Sequence, residues 1–397
     1  MAIRNRFSEL LPEITAWRRD IHENPELLFE THRTSQFVAD RLAEFGCDEI
    51  VTGIGRTGVV ALIKGRSDSQ GKVVGLRADM DALPIEEATG LPYASKTPGV
   101  MHACGHDGHT AMLLGAAKYL AETRNFDGTV AVIFQPAEEG GGGGLEMCKD
   151  GMMERFGIDE VYGMHNWPGR PIGTFAIRPG PFFAATDTFE IVIEGKGGHA
   201  AKPNETVDSI VMAAQCVTAL QTIAARNADP VEQIVVSVTS FESSSKAFNV
   251  IPQSVTLRGT VRTLIPEMRA LGRDRIHEIC THTAAVFGGM AHITYTEGYP
   301  ATVNHEAETK FAAEAATKVA GDCDFAPLVM GGEDFSFMLQ AKPGAYIRIG
   351  QGLPHGPGPH PLHNSRYDFN DEILPLGAAL HASLVEQALP FQPQAAA

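Results

Sequence analysis

Apolar residues recur along the chain with two spacings, and their alternation predicts a layered α/β protein. Leu10, Ile14, Trp17 and Ile21 follow helical spacing, which predicts two helices between residue 8 and about residue 45, interrupted near Asn24. Strand-like runs follow at 57–63, 73–77, 128–135 and 161–165, and a helix is predicted after residue 109. Strands that alternate with helices in this way are typical of an α/β domain.

The middle of the chain has another order of elements. Strands are predicted at 188–194, 233–241, 254–262 and 291–296, and helices at 206 to about 226 and 266 to about 287. The order β-α-β-β-α-β is that of the ferredoxin-like split arrangement, which can fold as a module of its own. We therefore expect an insertion between two halves of one larger α/β domain. The expected boundaries are 1–185, 186–297 and 298–397.

Composition narrows the possible partners. The 397-residue chain carries a formal charge of −16 and no run of Lys and Arg, which argues against nucleic acid. The N-terminus has no apolar signal core, and no stretch reaches the roughly 18 apolar residues of a membrane span. The expectation is a cytoplasmic protein without a membrane partner, whose scattered cysteines are mostly reduced.

A dense cluster of ligand residues lies at 102–109. It places three imidazoles and one thiol within eight positions, and Cys104 and His106 can converge on one ion from a loop before a helix. Thiolate and imidazole are the ligands that borderline metals such as Zn²⁺ prefer. For His102 and His109 we favour a helix-capping or orienting role over direct ligation.

A pair of adjacent carboxylates, Glu138 and Glu139, follows the predicted strand 128–135. One carboxylate can bind a metal while the other acts as general base on an activated water. Five glycines follow at 140–144, but the absence of a Gly-Lys-Ser/Thr sequence excludes a phosphate loop. The segment indicates metal-assisted hydrolysis.

Single residues elsewhere complete the candidate set in the larger domain. His165 ends a short apolar strand, where active-site residues of α/β sheets tend to lie. Asp79 and Asp81 follow another strand and can supply a ligand or an orienting carboxylate. His363 is a histidine of a predicted loop.

The predicted insertion carries its own candidates. His199 lies in a Gly-rich loop, and Asn249 and Arg262 lie near strand ends. Arg262 fits either bidentate binding of a substrate carboxylate or a surface ion pair.

Together these motifs resemble the aminoacylase/carboxypeptidase-like family of metallo-amidohydrolases, over nearly the whole chain. They are most similar to its hippurate hydrolase and N-acyl-amino-acid amidohydrolase branch, which includes the plant auxin-conjugate hydrolases. The most specific pieces are residues 77–84, the Cys104/His106 cluster and residues 135–139.

The resemblance implies a large mixed-sheet catalytic domain with two divalent metal ions. The implied ligands are Cys104, His106, Glu139, His165 and His363. Glu138 would be the general base, and Asp81 would orient the site. Asp79 stands where the wider family has a ligand histidine, so the metal stays open among Mn, Zn, Co and Ni.

For the inserted module the resemblance implies a dimerisation or lid domain. His199 would reach the active site of a partner subunit in a homodimer or homotetramer. Asn249 and Arg262 would bind the substrate carboxylate, and Gly332 belongs to a loop that lines the substrate site.

The expected activity is hydrolysis of the amide bond of small N-acyl amino acids, of N-acetyl or N-benzoyl type. A dipeptidase or carboxypeptidase on the same fold is one alternative. A metal- or ligand-binding protein without turnover is another.

Overall fold

The chain folds into two compact units. The computed structural model describes residues 2–355 and 359–391. Unit 1 comprises Met1–Gly180, Val303–Pro327 and Asp334–Ala397, and unit 2 comprises Pro181–Thr302 and Leu328–Glu333. Unit 2 thus interrupts unit 1, and its extent includes a short segment, 328–333, that lies outside the expected boundaries.

Both units contain helices and strands. The helices are α1 (Ala2–Glu23), α2 (His32–Phe45), α3 (His106–Thr123), α4 (Gly143–Lys149), α5 (Met152–Arg155), α6 (Ser209–Leu220), α7 (Pro266–Val286), α8 (Glu306–Ala320), α9 (Phe335–Ala341) and α10 (Leu374–Ala388). Within the described ranges, no helix is both long and apolar enough to cross a membrane.

The strands vary from two to ten residues. They are β1 (Glu49–Ile54), β2 (Gly58–Lys64), β3 (Val73–Asp79), β4 (Thr129–Gln135), β5 (Glu160–Pro168), β6 (Phe175–Ile177), β7 (Gly180–Phe183), β8 (Ala185–Glu194), β9 (Gly198–His199), β10 (Ile234–Ser243), β11 (Val250–Ile251), β12 (Ser254–Thr263), β13 (Met290–Glu297), β14 (Thr302–Asn304), β15 (Cys323–Phe325) and β16 (Gly344–Gly352).

Unit 1 is built on a mixed eight-stranded sheet in the order β1-β2-β4-β3-β5-β16-β6-β15. Every residue of β4 and β16 is buried, as expected for strands covered on both faces. The neighbours β4, β3 and β5 are parallel. Their carboxyl ends therefore meet at one edge of the sheet, where α/β proteins place their sites.

Unit 2 is an antiparallel sheet in the order β10-β12-β8-β13, with α6 and α7 packed on it. In β8 every second residue is buried, so one face of the sheet meets the helices. The chain order β8-α6-β10-β12-α7-β13 with this strand order is the ferredoxin-like arrangement. The predicted fold class, a mixed-sheet α/β domain with an inserted ferredoxin-like module, is confirmed. The role of unit 2 in dimerisation stays a prediction.

Candidate metal centre

The cysteine and two of the histidines that we expected as ligands meet at one point of unit 1. Cys104 lies in the loop before α3, His106 is the first residue of α3, and His165 lies in β5. Their potential ligand atoms lie within 4.8 Å of one another, and Cys104 Sγ is 3.4 Å from His165 Nε2. All three are buried. A thiol and two imidazoles at these distances form a donor set for a borderline metal.

Two more groups of ligand atoms extend this cluster. Those of Cys104, Glu139 and His363 lie within 4.8 Å of one another, and so do those of His106, Glu138 and Glu139. His363 Nε2 is 3.2 Å from Glu139 Oε1. Because the groups share members, the five expected ligands and the expected base form one cluster.

The backbone is held in an uncommon conformation at two places in this cluster. His363 has a φ of +63° and Ala137, which precedes Glu138, has a φ of +55°. The His363 N–H donates to the Ala103 carbonyl at 2.8 Å, which ties its loop to the residue before Cys104. Left-handed non-glycine residues concentrate at functional sites, where the surrounding structure maintains the strain.

Hydrogen bonds to backbone carbonyl groups fix how two imidazoles face the cluster. His106 Nδ1 lies 2.8 Å from the Asp81 carbonyl oxygen, and His165 Nδ1 lies 2.6 Å from the Asn166 carbonyl oxygen. Each Nδ1 therefore donates, which leaves the Nε2 lone pair directed at the other ligand atoms. His106 Nε2 is buried without a hydrogen-bond partner in the described part of the chain.

Asp81 positions the carboxylate pair rather than joining it. Its Oδ1 accepts the backbone N–H of Glu138 at 3.0 Å, and its Oδ2 accepts that of Glu139, also at 3.0 Å. With both oxygens used in this way, one buried carboxylate fixes the turn that presents both glutamates. The orienting role that the family resemblance implies for Asp81 stays a prediction, and this contact supports it.

The electrostatics of the cluster suit cations. Burial raises the pKa of the Cys104 thiol well above its ordinary value, and the carboxylates of Glu139 and Glu138 raise it further. Burial opposes the charged form of His106, yet the nearby carboxylates of Asp79 and Asp81 raise its pKa to about 10. The His106 shift reports concentrated negative charge, and the Cys104 shift reports mainly burial with a smaller contribution from the carboxylates. The donor set and this charge fit divalent metal ions.

Asp79 and His109 are engaged beside the cluster. Asp79 Oδ2 accepts from Arg77 Nη1 at 2.6 Å, and its Oδ1 lies 2.6 Å from His109 Nδ1. His109 Nε2 is 2.7 Å from Asn166 Oδ1. These bonds favour the orienting role over direct ligation, which were the two alternatives for Asp79.

Sequence reasoning missed a buried charged network behind α3. Asp107, the residue after His106, lies 2.8 Å from His22 Nδ1 and 3.4 Å from Arg18 Nη1, and all three side chains are fully buried. Arg18 also bonds Asp371 at 2.8 Å. The one signal in the sequence was the four-residue spacing of Arg18 and His22, which places both on one face of α1.

In unit 2, the expected residues His199 and Asn249 lie next to each other. His199 in β9 pairs with Val250 in β11, and the Ala200 N–H donates to the Asn249 carbonyl at 3.0 Å. His199 Nδ1 accepts the Ala201 N–H at 3.1 Å, so in the neutral ring Nε2 carries the proton. Both His199 and Asn249 are exposed.

Arg262 and Gly332 lie at the other end of unit 2. Arg262 is half-buried in β12, where it pairs with Thr186, and a Cβ atom on Gly332 would lie 2.3 Å from Thr186 Cγ2. Burial lowers the pKa of Arg262. Arg262 stands eight residues beyond Ser254, the first residue of β12, which is a span of ~26 Å along the strand. Within one chain Arg262 and Asn249 therefore lie toward opposite ends of unit 2, although both were expected to bind the substrate carboxylate.

The fold and the cluster are those of a metal-dependent hydrolase, and the comparison with known families agrees. The family described as "Peptidase family M20/M25/M40" matches residues 75–387 of the chain. The chain belongs to this family, and the expectation of a metal-dependent amidohydrolase is confirmed. The alternative of a binding protein without turnover loses its support.

Similar proteins share almost the full length of the chain. A hippurate hydrolase of Campylobacter jejuni is 43% identical, with 95% of this chain and 96% of the relative aligned. Thermostable carboxypeptidase 2 of Saccharolobus solfataricus is 40% identical, with 96% and 97% aligned. A crystal structure from Bacillus subtilis, described as a dinuclear metal-binding peptidase of family M20, is 35% identical, with a TM-score of 0.84 and coverage of 96% and 99%.

Proposed function

We propose that this protein hydrolyses the amide bond of N-acyl amino acids and releases a carboxylic acid and a free amino acid. The observation that carries the proposal is the carboxylate pair beside a thiol–imidazole cluster. Glu139 shares a ligand group with Cys104 and His363, while Glu138 lies in another group with His106. A protein that only binds metal needs no second carboxylate held beside its ligands. The similarity to a hippurate hydrolase, at 43% identity, supports the substrate class.

The proposal includes two divalent metal ions, held by Cys104, His106, Glu139, His165 and His363. Bound ions of this kind lower the pKa of water and polarise a carbonyl group. The related Bacillus subtilis structure is described as dinuclear, which supports the number of ions. For their identity we propose Mn, Zn, Co or Ni, to be separated by reloading chelated enzyme with each metal in turn.

Glu138 is the proposed general base and acid. Its side chain is almost fully buried, and its backbone N–H is held by Asp81 at 3.0 Å. A carboxylate placed in this way takes the proton from the attacking water and delivers it to the nitrogen of the leaving amine. The water oxygen forms a bond to the acyl carbon and the carbon–nitrogen bond breaks, so that one water proton ends on the amine and the other on the acid.

Unit 2 supplies the proposed substrate contacts. We assign the substrate carboxylate to Arg262 and Asn249. The planar guanidinium of Arg262 suits two parallel hydrogen bonds, and Gly332 lines the surroundings. His199, with its proton on Nε2, is the proposed donor to the tetrahedral oxyanion. Arg262 lies ~26 Å along β12 from Ser254, the end of the strand that follows β11, so we propose that His199 and Asn249 come from the partner subunit of a homodimer or homotetramer.

The assignment of Glu138 is tested by a Glu138→Gln variant. The amide keeps the size of the side chain but cannot accept the proton, so kcat is expected to fall by about 10²–10⁴-fold. Metal content, measured by mass spectrometry of bound elements, is expected to stay at the wild-type level. Glu146→Gln, on α4 outside the cluster, serves as the control and keeps full activity. Turnover retained in Glu138→Gln at full metal content would contradict the assignment.

A carboxypeptidase or dipeptidase activity is the second candidate, because a relative of 40% identity is named a carboxypeptidase. A panel of N-acetyl amino acids, N-benzoyl amino acids and dipeptides with a free amino terminus separates the two. The proposal expects the highest kcat/KM for acylated amino acids. A preference for free dipeptides would replace it with the second candidate.

A further inference from the structure

An apolar groove lies on unit 1 between α8 and the edge strand β15. Its volume is about 670 Å³, which is within the range of small-molecule sites. Ile177, Pro179, Ala307, Ala313 and Phe325 supply its apolar lining. Phe325 is 69% exposed, which is unusual for so large an apolar side chain. None of the groove residues belongs to the metal centre.

Two cationic side chains flank the groove. Lys310 lines it, and no described carboxylate lies within ion-pair distance of the ammonium group. Arg178 lies in the chain between two lining residues, Ile177 and Pro179, and its guanidinium carbon is 4.9 Å from the centroid of the Phe325 ring. Arg178 Nε is buried and has no hydrogen-bond partner among the described residues.

The two carboxylates at the groove are already compensated. Asp324 forms an ion pair with Arg170. Glu306 lies in the first turn of α8, where the helix dipole stabilises negative charge. With Asp324 paired to Arg170, two cations, Lys310 and Arg178, remain at the groove against one carboxylate, Glu306, so the balance of charge is positive.

We propose that this groove binds apolar monocarboxylates, with the hydrocarbon part against Phe325 and its apolar neighbours and the carboxylate on Lys310 and Arg178. Charge complementarity selects an anion, and the apolar lining selects one with a hydrocarbon chain or ring. The site is distinct from the metal centre. Its test does not depend on the proposed hydrolysis, although the acid released in that reaction belongs to the same ligand class.

Cys323 provides a reporter inside the groove. It is a free, half-buried thiol that lines the cavity, and burial raises its pKa to about 11. The full chain, loaded with metal, is treated with a neutral maleimide at pH 9 in the presence of butanoate, hexanoate, octanoate or decanoate. Peptide mass spectrometry then gives the labelling rate of each cysteine. Cys148, another free and half-buried thiol, is the internal control.

Bound carboxylate is expected to slow labelling of Cys323 at least tenfold and to leave Cys148 unchanged. The concentration for half protection should fall roughly fourfold per added methylene until the groove is filled, which corresponds to ~0.8 kcal/mol for each CH₂. Decanol should protect at least tenfold less well than decanoate. Equal protection by the alcohol, or no protection by any acid, would overturn the proposal.

Variants of α8 locate the anion contact. Lys310→Met is expected to raise the half-protection concentration about tenfold, while Lys310→Arg keeps it near the wild-type value, and neither changes hydrolysis. Lys318 lies on the same helix but donates to Gln387 outside the groove, so Lys318→Met should show the wild-type half-protection concentration. If Cys323 labelling instead slows with rising protein concentration and no acid changes it, a second copy of the chain covers the groove and the proposal is wrong.

Discussion

The two units hold their expected functional residues in opposite ways. In unit 1, Cys104, His106 and Glu138 are buried, and side-chain or backbone hydrogen bonds fix the groups around them. In unit 2, His199 and Asn249 are exposed. His199 lies in the two-residue strand β9, and Asn249 directly precedes the two-residue strand β11. Unit 1 thus brings its expected ligands and base together within one chain, whereas unit 2 leaves Asn249 and Arg262 apart.

This contrast has a physical reason. Ligand atoms around metal ions and a general base need fixed positions, which burial and paired hydrogen bonds provide. Residues that meet a substrate, or a partner subunit, have to be reachable before the encounter and can be ordered by it. The contrast therefore predicts that changes in unit 1 alter chemistry and metal binding, while changes in unit 2 alter substrate binding and depend on subunit pairing.

The largest effect is expected from mixing two inactive variants, an experiment that tests whether His199 acts in the active site of the partner subunit. Glu138→Gln and His199→Ala each lower activity by about 100-fold or more, since each removes a group that acts in the transition state. When the two variants are unfolded, mixed and refolded, half of the dimers are hybrids with one intact site. Activity should return to about a quarter of wild type.

The controls for this experiment are the two variants refolded separately, which should stay inactive. Recovery in the mixture alone supports action in the partner. No recovery, despite hybrids seen by native mass spectrometry, would place His199 in the site of its own chain and break the comparison.

The next effect concerns the anchor of the carboxylate pair. Asp81→Asn replaces one acceptor oxygen by an amide that opposes a backbone N–H, so the turn carrying Glu138 and Glu139 loses its fixed position. Metal affinity is expected to fall about 10–100-fold, measured by competition with a chelator of known affinity. Asp159→Asn is the matched control, because Asp159 accepts the Val73 N–H outside the cluster. Equal affinities in both variants would contradict the anchoring role.

The smallest effect is expected from a change at Arg262, which tests the role of unit 2 in substrate binding. Arg262→Lys keeps the charge but loses the bidentate geometry, so KM should rise roughly tenfold with kcat within about twofold of wild type. Arg258→Lys lies on the same strand, exposed and paired with Glu190, and should change neither constant. A fall in kcat at unchanged KM would place Arg262 in the chemical step instead.

Much of the metal centre could be predicted because its residues are dense in the sequence. Cys104 and His106 stand two apart, and Glu138 and Glu139 are adjacent, so a short segment shows the ligand types together. His363 could be assigned only through the family resemblance. Its proximity to Glu139 depends on a loop 224 positions later, which no local pattern encodes.

Three features of the structure could not be predicted from the spacing of residues along the sequence. The network of Arg18, His22 and Asp107 depends on how α1 packs against α3. The separation of Asn249 from Arg262 depends on strand register, although the two are only thirteen residues apart in the sequence. The groove at Phe325 exists because β15 is an edge strand, and an edge is a property of the whole sheet.

The position of β16 within the large sheet has a consequence for synthesis. It pairs with both β5 and β6, yet it begins at Gly344, 176 residues after β5 ends at Pro168. At 5–20 residues per second, the ribosome needs roughly 9–35 s to produce that stretch. During this time β5 lacks one neighbour, while unit 2, encoded in between, is free to fold. The nascent chain therefore carries an open strand edge that favours aggregation, and His363, an expected metal ligand, is synthesised only after β16.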